Sequence, residues 1–232
     1  MGGLASRGRE NPAARRYALL VGLAFAAIIV AAIVNATRTE QSGILGAGDD
    51  EGRPLPHFAV PTALGPLEGD ANIAQTACES SERPCPEEDR RTPACEVNVE
   101  DAIRVCDLFE RPLAISFWFM RGAECTDAQD AVDRVARRYR GRVNFLIVDV
   151  RDDREQVREV IRERGWRVPV GYDADGAVSN VYGIGVCPTV HLAYPGGTLM
   201  RSLFGSEVDE ATLERSIEQL LRASRERPER GA

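Results

Sequence analysis

Six cysteines and two histidines hold most of the special chemistry open to this 232-residue chain. Cys78, Cys85, Cys95 and Cys106 crowd one stretch, with six, nine and ten residues between them; Cys125 and Cys187 stand outside it. A cysteine acts as nucleophile or ligand through its thiolate, so its surroundings decide its use. Cys125 immediately precedes a helical stretch and has Arg121 and Glu124 beside it. The arginine favours a thiolate, the glutamate opposes one, and both read by default as solvated surface charges. Cys187 immediately precedes Pro188. The even count suggests pairing if the compartment is oxidising. Cys85-Pro86 and Pro93-Ala94-Cys95 bracket a charged stretch and look like the base of a loop. That suggests Cys85–Cys95 as an inner bridge and Cys78–Cys106 as an outer one, although four cysteines allow three connectivities and the pairing stays open. These four lack a CxxC knuckle and a nearby histidine, which argues against zinc. The chain has neither a Ser/His/Asp set nor a glycine-rich phosphate loop, so no metal and no cofactor are expected.

The N-terminal part bears on compartment. Residues 17–34 form an apolar run of 18 without a charge, long enough to cross about 30 Å of hydrocarbon as a helix. Arg7, Arg9, Arg15 and Arg16 precede it, and Asp49, Asp50 and Glu51 follow, with Arg38 alone near the exit. The positive-inside rule places residues 1–16 in the cytoplasm, 17–34 in the membrane as a transmembrane helix or signal anchor, and the rest outside. The alternative is a secretory signal cleaved near Ala36, where Val34-Asn35-Ala36 offers small residues. Either way the following domain meets conditions in which disulfides persist. The net charge of −7 argues against nucleic acid as a partner. Every basic residue is arginine, which reads as genome composition.

Beyond the run, 35–54 reads as a Gly-, Asp- and Thr-containing linker, 55–223 as one domain, and 224–232 as a charged tail. Residues 55–61 read as an edge strand. The Cys-rich stretch 62–111 has little periodicity; a short helix over 98–105 would set Val99, Ile103 and Cys106 on one face. From Pro112 the pattern is regular. Strands are expected at 113–119, 143–150, 168–172, 189–194 and 199–204, the last two joined as a hairpin by Pro195-Gly196-Gly197. Helices are expected at 126–139, closed by Gly141, after the possible caps Asp152 and Asp153, and at 209–223. Strands joined by helices make right-handed parallel crossovers, and the hairpin adds antiparallel strands. The fold class is therefore α/β, a mixed sheet with helices on both faces.

This order resembles the thioredoxin-like superfamily. Locally, Phe117-Trp118-Phe119-Met120-Arg121-Gly122-Ala123-Glu124-Cys125 is similar to the strand-end Phe-Trp-Ala-x-Trp-Cys-x-x-Cys of the TlpA/ResA-like redoxin (AhpC/TSA-related) branch. Tyr182-Gly183-Ile184-Gly185-Val186-Cys187-Pro188-Thr189 is similar to its Tyr-Gly-Val-x-x-x-Pro-Thr segment, whose proline is cis. The Asp175-Gly176 turn and the hairpin glycines fit as well. The CxxC is degenerate: the attacking cysteine of the family falls on Gly122 and the resolving one on Cys125. The resemblance implies that the Pro188 loop lies against the active-site position, so that Cys187 becomes a spatial neighbour of Cys125. It implies a pocket with Trp118, Gly122 and Thr189, and a thiol–disulfide oxidoreductase acting on extracytoplasmic protein thiols or disulfides. A redox-silent binding module, with Cys125–Cys187 as an inert staple, is the plainer alternative. A peroxiredoxin reading rests on Cys125-Thr126, but the proline and threonine of that motif fall on Trp118 and Gly122. A copper site from Cys125, Cys187 and a histidine such as His191 is conceivable, against a satisfied strand histidine.

Overall fold

The structure is a computed structural model that describes residues 21–22, 25–27, 29–30, 51–68, 92–121 and 123–227. The chain divides into two compact units, 1–42 and 43–232. In the first, the described residues are helical, with Val21, Phe25, Ile29 and Val30 exposed. No helix among the described residues is long and apolar enough to cross a membrane. The remainder of the 17–34 run, residues 35–50, and 69–91 with Cys78 and Cys85 lie outside the described residues.

The second unit is built on a five-stranded sheet. Its elements in chain order are β1 (Ala59–Pro61), β2 (Ala102–Arg104), β3 (Leu113–Trp118), α1 (Ala123–Arg138), β4 (Asn144–Val150), α2 (Arg154–Arg164), β5 (Val170–Asp173), α3 (Ala177–Val181), β6 (Thr189–Ala193), β7 (Leu199–Phe204) and α4 (Glu210–Glu226). The sheet order is β5-β4-β3-β6-β7, and β1 and β2 form a separate ribbon. β3, β4 and β5 are parallel; β6 pairs antiparallel with β3, and β7 pairs antiparallel with β6, so that β6 alone runs against the other four. β3 and β4 are central because both faces are apolar, as the unbroken burial of β3 records.

Period-two alternation splits the core. Ala114, Trp118, Phe145, Ile147, Val190 and Leu192 face one side, where Val132 and Val135 of α1, Val157 and Ile161 of α2, and Leu213 and Ile217 of α4 pack on them. Leu113, Ile115, Phe117, Leu146 and Val148 face the other, covered by Leu55, Phe58, Val105, Val178 and Tyr182. Caps set the helix starts: Asp153 accepts from Gln156 N–H and Asp209 from Thr212 N–H.

Three expectations change. The stretch 98–105 is not a helix. Asp101 takes a left-handed φ of 63° that breaks one, and 102–104 pair with β1 instead. The short helix α3 went unseen; Asp173 caps it by accepting from Val178 and Ser179 N–H. The last helix continues through Glu226, and the Arg227 guanidinium stacks 3.8 Å over the Tyr194 ring. At the head of the Cys-rich stretch, Arg154 and Arg158 of α2 donate to the carbonyls of Ala63 and Gly65, clamping it to the domain.

β1 passes close to β5. Thr62 bridges Gly171, Ala63 N–H donates to Val170 O, and a Cβ at Gly171 would stand 2.6 Å from Val60 Cγ2. Gly171→Ala is therefore expected to cost about 1–3 kcal/mol by overpacking. Paired with Val60→Ala it should cost less than the sum of the single changes. Urea unfolding of the four-member cycle checks this; strict additivity would show that the two residues do not meet.

Candidate functional site

β3 ends at Trp118, and α1 begins at Ala123. Cys125 is therefore in the first turn of α1, where backbone N–H groups lack intrahelical acceptors and favour a thiolate. On the neighbouring strand, Thr189 pairs with Phe117 in antiparallel register. Continuing that register sets Cys187 opposite Phe119, and its Sγ lies 3.8 Å from Phe117 O and 3.9 Å from Phe119 O. Cys125 and Cys187 are joined by a disulfide with Cα atoms 5.6 Å apart, inside the usual span. The Cys187–Pro188 peptide bond is cis. Gly122 lies outside the described residues.

The two sulfurs differ in access. Cys125 is 3% exposed and belongs to the core cluster, whereas Cys187 is half-buried beside the exposed Val186. Thr189 is buried and its hydroxyl donates to Val186 O, which ties the loop to itself. Gly205 N–H donates to Pro188 O. A shallow groove beside Pro188 is lined by Glu124, Ala128, Val208 and Asp209. Trp118 does not line an open pocket as the resemblance implied. It is fully buried, edge-on to Trp166 at 4.9 Å, and its Nε1 donates to Thr126 Oγ1.

A buried polar relay sits beneath Cys125. Ser116 Oγ donates to Gln129 Oε1 at 2.6 Å, and Gln129 Nε2 donates to Cys125 O. Both side chains are fully buried, so the relay holds the first turn of α1 at a set height on β3. The sequence reading missed it; the available signal is two polar residues on otherwise apolar inner faces.

Asp149 was also missed, although a carboxyl in an apolar central strand is a signal in itself. It pairs in register with Trp118 and with Tyr172, so the three form a row at the carboxyl ends of the parallel strands. It is fully buried, and neither of its oxygens has a hydrogen-bond partner. Burial pushes its pKa up to about 9, and the nearby carboxylates of Asp152 and Asp173 push the same way. Protonation removes its charge from beside the Asp152 carboxylate. Asp152 in turn accepts from Met120 N–H, which anchors the loop between β3 and α1. Burial also raises Asp173, to about 6, against the lowering effect of its bonds from Ser179 and Val178 N–H.

The remaining cysteines correct the sequence reading. Cys95 bonds to Cys106, with Cα atoms 5.6 Å apart. That excludes both Cys85–Cys95 and Cys78–Cys106. The inner-and-outer scheme assumed a loop closed at its own base, whereas the pairing of β1 with β2 turns Cys106 toward the segment around Cys95. A copper site using His191 is not assembled either. His191 lies on the opposite face of the sheet, 2.7 Å from Ser202 Oγ and against the Phe117 and Tyr182 rings. The metal-type cluster found among the described residues is instead His57, Cys95 and Cys106. His57 was not near these cysteines in sequence, and only the fold brings it to them.

No protein-family model and no curated protein matches the sequence. Solved structures do. A thiol:disulfide interchange protein of the thioredoxin family from Chlorobium tepidum TLS is 15% identical, with a TM-score of 0.54 over 75% of this chain and 99% of that one. A candidate protein disulfide isomerase from Bacteroides thetaiotaomicron is 13% identical, with a TM-score of 0.55 over 77% of this chain and 94% of that one. A candidate thiol:disulfide interchange protein DsbE, also from Chlorobium tepidum, is 15% identical, with a TM-score of 0.53 over 76% and 99%. The fold of this chain is thioredoxin-like.

Asp149 predicts a pH effect. Unfolded, its carboxyl ionises near the ordinary 3.8; folded, it holds the proton to about 9. The unfolded state binds fewer protons in between, so stability is full below the lower value and falls as pH rises to the upper. Asp173 adds the same sign between 3.8 and about 6. The slope for one proton approaches about 1.4 kcal/mol per pH unit. Asp149→Asn is expected to flatten the fall, so that its urea midpoint exceeds that of the parent at pH 8. Parallel pH profiles of the two proteins would refute the assignment.

Proposed function

We propose that this chain is a thiol–disulfide oxidoreductase working through Cys125 and Cys187, tethered to a membrane with its domain on the extracytoplasmic side. The observation that carries the reading is the bond between Cys125, in the first turn of α1, and Cys187, beside Pro188. The position usually held by the attacking cysteine is Gly122, and Cys187 serves in its place.

Access assigns the roles. A substrate thiolate attacks Sγ of Cys187, the more exposed sulfur, and the Cys125–Cys187 bond breaks. Cys125 leaves as a thiolate, which the free N–H groups and dipole of the α1 N-terminus stabilise. A second substrate thiol then loses its proton and attacks the substrate sulfur of the mixed disulfide. Cys187 is released as a thiolate and takes up a proton. The substrate leaves as a disulfide, and the protein holds two more electrons, with Cys187 as a thiol and Cys125 as the stabilised thiolate. The reverse sequence reduces a substrate disulfide. Exposed Val186 and the groove beside Pro188 suit an extended protein segment presenting its cysteine.

Compartment follows from the uncharged run 17–34 and the arginines before it, with 1–16 cytoplasmic; release after cleavage near Ala36 is the other route to the same side. The oxidised state of both described pairs supports an oxidising compartment. The near-complete burial of Cys125 favours a second reading, an inert staple in a redox-silent binding module. The same burial leaves peroxide little access to that sulfur, against a thiol peroxidase.

The Cys125–Cys187 couple is expected between about −120 and −270 mV, the range of exchange-active pairs. A value below about −300 mV favours the staple. With a peptide carrying one intramolecular disulfide as substrate, the Cys187 thiolate of Cys125→Ser is expected to attack that bond and accumulate a mixed disulfide that peptide mapping locates at Cys187. Adduct formation at Cys125 in Cys187→Ser at an equal rate would reverse the roles.

A further inference from the structure

Away from the Cys125–Cys187 site, His57, Cys95 and Cys106 each turn one ligand atom inward, and these atoms lie within 4.8 Å of one another. The backbone explains the convergence. β1 and β2 pair with Ala59 opposite Arg104, and Val105 N–H donates to Phe58 O one step further on. The next step sets His57 opposite Cys106, so the two side chains form a cross-strand pair on one face of the ribbon. The turn Ala94–Glu96 then brings Cys95 to the same place. The imidazole is braced: its ring centroid is 5.8 Å from that of Phe109, and Phe109 is held by its N–H to Cys106 O and by its carbonyl, which accepts from Gly196 N–H. The Phe109 ring lies over Gly197, where a Cβ would meet it at 2.7 Å.

We propose that, when the Cys95–Cys106 bond is reduced, His57, Cys95 and Cys106 bind a thiophilic metal ion with a filled d shell, zinc(II) or copper(I). Two thiolates and one imidazole form a soft donor set that suits both ions. Zinc uses such three-ligand sets with its fourth position left to water or a substrate atom. His57 is exposed and both cysteines are half-buried, so an ion reaches the cluster from solvent. Arg104, in the ribbon itself, is engaged by Asp107 and Val97 O, so its charge is partly answered locally.

The site is a switch, because a sulfur in a disulfide is no longer a thiolate ligand. Its reduction needs a dithiol. One thiolate of that dithiol attacks the Cys95–Cys106 bond, which breaks and releases one cysteine; the second thiol closes on the mixed disulfide and frees the other. The dithiol leaves as a disulfide, and the chain gains two electrons and two protons. Metal binding then displaces the two thiol protons, while neutral His57 supplies a nitrogen lone pair.

The test uses the full chain, reduced with a phosphine under anaerobic conditions. Zinc(II) and copper(I) are titrated separately in competition with a chromophoric chelator for each ion. The expected result is one ion per chain whose affinity falls about tenfold or more in His57→Ala, with X-ray absorption showing one imidazole nitrogen and two sulfurs. Preference for one ion over the other identifies which one the site takes, and either supports the proposal. His57 is exposed, so its variant should fold; formation of the Cys95–Cys106 bond in the oxidised variant, seen by peptide mapping, checks this. The proposal is overturned if the reduced chain binds neither ion, if His57→Ala binds with unchanged affinity, or if the bound ion has no nitrogen ligand.

Discussion

The antiparallel pairing of β6 on β3 is the interaction on which the site depends. It sets Thr189 beside Phe117 and so carries Cys187 to the end of β3, where α1 starts. A slip of one residue in this register would turn every β6 side chain to the other face. Val190 and Leu192 would leave the core under α1 and α4, and His191 would replace them. Hydrophobic burial on both faces of the sheet thus holds the register, and the register positions the sulfurs.

Polar groups fine-tune that arrangement from below. The Ser116–Gln129 bond and the Gln129 bond to Cys125 O fasten the first turn of α1 to the central strand. Asp152 holds Met120 N–H on the other side of the same loop. In a water-poor interior such bonds gain strength, and any member left unpaired is costly. Asp149 is the member that lacks a partner while ionised, and the core accommodates it by keeping it protonated. Destabilising groups retained near a reactive centre are common in proteins whose function needs them.

The Cys-rich stretch is joined to the domain by other means. Arginines of α2 clamp its beginning, the β1–β2 ribbon fastens its end, and Cys95–Cys106 locks that end to the turn before it. Such bonding replaces the apolar periodicity that the stretch lacks. It also places a second sulfur pair near the surface, with a histidine beside it, separate from the first pair.

Local signals in the sequence determined the succession of strands and longer helices from Pro112 onward, short α3 excepted, because periods of two and 3.6 residues are set by neighbours a few positions apart. They also identified Cys125, Cys187 and Pro188 through motif resemblance, and the thioredoxin-like order of elements. The tertiary structure alone decided which groups meet across long separations. The helix expected over 98–105 gave way to β2 because its partner, β1, lies some forty residues earlier. Cys106 joined Cys95 and met His57 for the same reason. Asp149 became a buried acid only when α1 and α2 closed over its strand. Periodicity records which face of an element is apolar; strand register and helix packing, which depend on the whole core at once, decide what that face and its rare polar residues touch.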